Sequence, residues 1–271
     1  MLLLTAPLAS LVMLLALRVE QRLGPVAGGW TAALPLGLAA ALAAVMLDQG
    51  SEAAGAVALS AAGHAPAQVA FGIAAGAVMV RAGVVAGALA GIGAFAAASW
   101  GLTFLPADAA ILSGAVLLIA LAALPARRAP APPGRRSPIA TAVVCGCAAA
   151  IVVATTLTAG ALGSDVGGTV GAFPTMCLGL TLVVATLGRP VDGAHVAYGL
   201  LRSLPCYLTF ALVFGLTATR WGPLAFLAAG VSAVLAACVS WFVMSHQLNR
   251  AARRHADTTT DERPAMVVAG S

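Results

Sequence analysis

Apolar runs of roughly 17–25 residues, the length an α-helix needs to cross the hydrocarbon of a bilayer, recur along almost the whole chain. Nine are predicted as spanning helices, at 2–18, 30–47, 64–80, 82–103, 109–125, 138–160, 168–187, 203–219 and 223–246. The third and eighth each follow a short, weakly amphipathic stretch, 51–62 and 191–202. Those stretches read either as interfacial turns or as the start of one long tilted helix. Of the 271 residues only 8% are charged and 61% are hydrophobic, whereas a soluble domain carries about a quarter charged residues. So few charges cannot coat a surface that faces water. The expected fold is all-α, a polytopic membrane helical bundle with lipid bilayer as its solvent.

The charges that remain say how the bundle sits. Lys and Arg together number 14, for a net charge of +5, but they lie in short loops and a tail, with no basic stripe and no interleaved aromatics. Nucleic acid is therefore not an expected partner. The first run has no positive residue before it, and Arg18 and Arg22 follow it. That order fits a retained first helix with its N-terminus outside, not a cleaved leader. The connector ARRAPAPPGRRSP at 126–138 cannot form a membrane helix, because each proline removes a backbone donor and kinks the chain. With nine crossings, arginines 18, 22, 81, 127, 128, 135, 136, 189, 202, 250, 253, 254 and 263 all fall inside, and only Arg220 falls outside. The positive-inside rule then predicts an inner or plasma membrane protein with a cytoplasmic C-terminus.

Sliding the chain against itself by 139 residues aligns LGPVAGGWTAALP (23–35) with LGSDVGGTVGAFP (162–174) without a gap. The register continues through Pro66 and Pro205, Phe71 and Phe210, Gly76 and Gly215, Arg81 and Arg220, Gly83 and Gly222, and Gly91 and Gly230. The repeat takes in the first four and last four helices and leaves the fifth unpaired. An odd helix between two four-helix units turns the second upside down, so Arg81 and Arg220 land on opposite faces. The predicted plan is 4+1+4: residues 1–108 the first four-helix repeat, 109–125 a spacer helix, 126–138 a cytoplasmic linker, 139–248 the second repeat, and 249–271 a disordered cytoplasmic tail. In transporters, inverted repeats of this kind meet at a site near the midplane.

The second half carries FPTMCLGL (173–180), the polar turn GRPVDGAH (188–195) and RSLPCY (202–207). In these segments it resembles the GlpM family of small inner-membrane proteins. Phe173, Pro174, Thr175, Ser203 and Tyr207 match the family's Phe-Pro-Thr and Ser…Pro-Tyr spacing, while Pro205 lies one residue early. The first half keeps Pro35 and Pro66 but has Leu34, Leu36, His64 and Gln68 where Phe, Thr, Ser and Tyr would stand. The resemblance implies four-helix units able to insert in both orientations, and a link to exopolysaccharide production. A fused pair with a spacer helix is what an antiparallel dimer of such units would become.

Candidate site residues follow from the repeat. Pro35 and Pro174 lie early in the second and seventh helices, each after a glycine pair. There a broken backbone ladder either exposes carbonyls to a polar ligand or simply kinks the helix at a close contact. Thr175 offers a hydroxyl beside Pro174. Gln68 and Tyr207 are equivalent under the repeat, as are His64 and Ser203. In lipid the polar ends of Gln68 and Tyr207 need partners, within a cavity or on a neighbouring helix. His64 reads as a solvated or hydrogen-bonded interfacial histidine, or as a group titrating near neutrality. Asp48, closing the second helix, reads as a solvated helix end.

No nucleophile, phosphate-loop or dinucleotide motif occurs in a workable context, so no catalytic residue, no cofactor and no metal ligand is expected. The five cysteines lie inside apolar runs without metal spacing and read as small packing residues. The expected function is a small-molecule or lipid-related transporter or permease with its site between the repeats. The alternative is a non-transporting scaffold or accessory factor in envelope or exopolysaccharide assembly. Substrate, coupling ion and oligomeric state carry no sequence signal.

Overall fold

The computed structural model describes residues 2–123, 141–142, 145–146 and 161–261. Most of the sixth predicted helix, the 126–138 connector and residues 262–271 lie outside them. Among the described residues the chain is all helix and turn. It runs through α1 (Leu2–Leu23), α2 (Pro25–Ala32), α3 (Leu36–Gly63), α4 (Ala65–Ala82), α5 (Val84–Leu102) and α6 (Ala107–Ala123). After the undescribed stretch come α7 (Ser164–Ala172), α8 (Thr175–Leu187), α9 (Pro190–Trp221), a 3₁₀ turn at Gly222–Leu224, and α10 (Ala225–Asp261).

Five stretches among the described residues are long and apolar enough to cross a membrane: Pro25–Gly63, Ala65–Ala82, Val84–Leu102, Asp165–Leu187 and Pro190–Gln247. On helix length and hydropathy the chain is a multi-pass membrane protein. Its outer surface agrees. Val85 and Leu89 on α5, Leu112 and Ile119 on α6, and Leu227 and Val234 on α10 are all exposed. Soluble monomers rarely expose contiguous apolar patches of more than a few hundred Å².

Glycine sets the corners. Gly24, Gly50, Gly83, Gly163 and Gly222 all have positive φ, a region an L side chain enters only with strain. Gly83 separates α4 from α5 and Gly222 ends α9. Gly24 and Gly163 stand before the short helices α2 and α7. Gly50, with φ 89° and ψ 174°, kinks α3.

The helix boundaries recur at the 139-residue offset. Pro25 and Ser164 open the short helices, Leu36 and Thr175 open the helices after the breaks, and Pro190 starts α9 where Ser51 follows the Gly50 kink in α3. The short helices cross over to the other half. α2 packs on α9 and α7 packs on α3, and the approaches are close. A Cβ on Gly29 would stand 2.0 Å from the Val196 carbonyl oxygen, and one on Gly168 would stand 2.9 Å from the Val57 carbonyl oxygen. Val57 and Val196 are equivalent positions, so each contact has its counterpart. Likewise Gly199 lies under the Val26 carbonyl, and its equivalent Ser60 donates its hydroxyl to the Asp165 carbonyl at 3.2 Å. The central helix is α9, which packs against α2, α3, α4, α8 and α10.

Two features differ in detail from the sequence expectation, and for a third the structure chooses between the alternatives it left open. The predicted helices at 30–47 and 168–187 begin earlier, at Pro25 and Ser164, and are each interrupted; a hydropathy window does not register a break of two or three residues. The amphipathic stretch 191–202 is the beginning of one long helix, α9, with Pro205 inside it, whereas 51–62 belongs to α3 and a turn at His64 separates it from α4. The 249–261 segment, expected to lack regular structure, continues α10 through Asp261. Its Ala and Arg residues favour helix and it contains neither Gly nor Pro.

Candidate functional site

Between the breaks lies a cleft of about 70 Å³. The chain leaves α2 at Ala32, turns through Ala33 and Leu34, and re-enters helix at Leu36 with Pro35 as its N-cap. It leaves α7 at Ala172 and re-enters at Thr175 with Pro174 as its N-cap. Proline suits both places, since it lacks an N–H that the first turn of a helix leaves unbonded anyway. The two breaks line the same cleft, through Leu34, Pro35 and Gly37 on one side and Phe173, Pro174 and Met176 on the other. The ring of Phe173 packs edge-on against Phe95 at 5.1 Å and Phe71 at 6.0 Å. That clamp ties the unwound backbone of the second half to α4 and α5 of the first.

Gln68 from α4 and Tyr207 from α9 also line the cleft. They are 3% and 5% exposed. The Gln68 side chain is the neighbour of the Tyr207 hydroxyl. Even so, neither Gln68 Nε2 nor the Tyr207 hydroxyl oxygen has a hydrogen-bond partner of good geometry. A buried polar group without a partner costs about 1–3 kcal/mol, and such groups in a native fold call for an explanation. Here two of them, equivalent under the repeat, meet at one cavity.

Of the residues picked from sequence, Pro35, Gln68, Pro174, Thr175 and Tyr207 all line the cleft. His64 and Ser203 do not. His64 sits at the α3–α4 turn, with Nδ1 2.8 Å from the Ser60 carbonyl oxygen and Nε2 3.1 Å from Thr169 Oγ1. Its ring joins the turn to α7. Ser203 is buried and donates to the Leu200 carbonyl at 2.9 Å within α9. Both polar ends are consumed by packing between or within helices.

Among the buried charged residues not singled out from sequence are Glu20 and Arg202. Glu20, near the end of α1, is fully buried, with Gly28 of α2 pressed against its stem. Arg202, counted among the loop arginines, is 6% exposed within α9. Its guanidinium lies 5.0 Å from the Tyr198 ring centroid and donates to the Tyr198 hydroxyl. Neither residue lines the cleft. The signal available for Arg202 was Tyr198 four residues earlier, the spacing at which helical side chains meet.

A second crevice of about 370 Å³ lies on the other side of the first break, sharing Leu34 and Pro35 with the cleft. Its remaining wall is apolar and includes Trp30, Phe210 and Trp241. The Trp30 and Trp241 rings meet edge-on at 5.2 Å, and Trp30 Nε1 donates to Ser240 Oγ at 3.3 Å. Among the described residues no three His, Cys, Asp or Glu side chains come together to hold a metal ion.

No family model matches the chain, and no curated protein and no solved structure matches it.

Proposed function

We propose that the chain is a transporter or permease for a small polar solute, bound in the cleft where the two helix breaks meet. The observation that carries this is the pairing of Gln68 and Tyr207. Two buried polar ends lack partners and are placed where interrupted helices supply free backbone groups. Discontinuous helices in corresponding positions of two halves are the usual architecture of a transporter site. A cleft of about 70 Å³ is far below the roughly 300–1,000 Å³ of pockets for drug-sized ligands. That favours a small solute over a lipid.

The same reading takes the halves as inverted repeats within nine crossings, with the N-terminus outside and the C-terminus cytoplasmic. Matched helix boundaries and reciprocal contacts such as Gly29–Val196 and Val57–Gly168 support a two-fold relation between the halves, and the odd number of predicted crossings supplies the inversion. The GlpM resemblance of the second half fits this plan.

The expected outcome in proteoliposomes is solute flux that falls at least tenfold in Pro174→Ala and Tyr207→Phe. Unchanged flux in both variants would remove the site. The second reading is a scaffold in envelope or exopolysaccharide assembly. What favours it is the bundle interior away from the cleft, filled largely by Ala, Leu and Val. It requires that no solute be moved or bound at all.

A further inference from the structure

We infer that the solute is a small monovalent anion, held where the N-termini of α3 and α8 open on the cleft. This rests on the cleft being the binding site and adds the chemical class of its ligand. The first four N–H groups of any helix lack an intrahelical acceptor. In α3 the turn itself satisfies two of them, since Leu36 donates to the Leu34 carbonyl and Ala39 to that of Pro35. The N–H groups of Gly37 and Leu38 remain, and no side chain caps this helix start. In α8 the pattern repeats. Thr175 donates to the Phe173 carbonyl and Leu178 to that of Pro174, leaving Met176 and Cys177, again without a side-chain cap. Gly37, Leu38, Met176 and Cys177 all line the cleft.

Two helix N-termini therefore bring donors, and the positive ends of two helix dipoles, to one small space. Each end is equivalent to roughly half a positive charge. Gln68 Nε2 is a donor only, and the Tyr207 hydroxyl can donate as well; both are buried there without partners. The carbonyl ends of α2 and α7 also reach the cleft, through Ala32, Ala33 and Ala172, but no carboxylate lines it to neutralise a cation. With two helix starts at the cleft and no carboxylate in it, an anion fits the site better than a cation. A water centre needs roughly 10–15 Å³, so about 70 Å³ takes one small anion together with several waters.

The test is thermal unfolding of the detergent-solubilised full-length protein. Sodium fluoride, chloride, nitrate and formate are titrated at constant ionic strength against sodium gluconate. At least one should stabilise saturably, as a ligand that binds only the native state must. Gln68→Leu and Tyr207→Phe should each weaken that apparent affinity on the order of tenfold. Gly93→Ala, at an α5 position with open space around it, should leave it unchanged. Exchanging sodium for potassium or choline should have no effect. Saturable stabilisation by a cation or by an uncharged polyol, lost in Tyr207→Phe, would overturn the anion and leave the cleft as the site. Anion stabilisation equal in wild type and both variants would overturn the cleft itself. Absence of stabilisation by all four anions would overturn the inference, and flux of some other solute would then decide the transport reading on its own.

Discussion

At the scale of single residues, the cleft places the cost of an unpaired polar group beside the need for one. The Tyr207 hydroxyl and Gln68 amide are buried without partners, so the unliganded fold carries a penalty of about 1–3 kcal/mol for each. Their removal should therefore separate stability from function. Tyr207→Phe is expected to melt at or slightly above the wild-type temperature without ligand, measured by thermal unfolding in detergent. A fall in that unliganded temperature would mean the hydroxyl already has a partner and is structural. Ser203 and His64 show the opposite case, since their polar atoms meet the Leu200 and Ser60 carbonyls. The 139-residue register pairs His64 with Ser203 at predicted helix starts and Gln68 with Tyr207 one turn inside them, but only packing decides which polar ends are consumed.

At the scale of elements, the crossed-over short helices α2 and α7 depend on glycine at their contacts. A Cβ at Gly199 would stand 2.1 Å from the Val26 carbonyl oxygen, and one at Gly29 2.0 Å from that of Val196. Backbone cannot yield as the end of a side chain can. Gly199→Ala and Gly29→Ala should each destabilise by about 1–3 kcal/mol or fail to fold, read as loss of monodisperse protein after solubilisation. Gly93→Ala on α5 and Gly230→Ala on α10 meet nothing within 4 Å and should fold as wild type or slightly better, Ala being the stronger helix former. Equal tolerance at all four positions would contradict the close approach of α2 to α9.

For the whole molecule, the proposed inversion makes a prediction about sidedness that no single contact can make. Single cysteines introduced into a cysteine-free background should report the 126–138 connector and the segment after Asp261 on the same side of the membrane. Arg81 and Arg220, at the ends of α4 and α9, should report on opposite sides. Labelling of both arginine positions from one side would make the two halves parallel rather than inverted. The contact pairs would stand, but the axis relating them would run along the membrane normal.

Much of this was legible in the chain itself. Apolar runs with 8% charge leave helices in lipid as the available solution, because every backbone polar group must be bonded within its own segment. The offset that aligns Pro35 with Pro174 and Gln68 with Tyr207 singled out four of the residues that line the cleft, because prolines and polar side chains in register stand out within apolar runs. The tertiary structure decided the rest. It placed two helix starts, at Leu36 and Thr175, beside one cleft, because a helix interrupted at Leu34–Pro35 must restart, and hydropathy does not register a restart. It buried Glu20 and Arg202, and it sent α2 and α7 across to the opposite half. Which atoms end without a partner depends on neighbours far away in sequence, so local pattern alone could not foretell it.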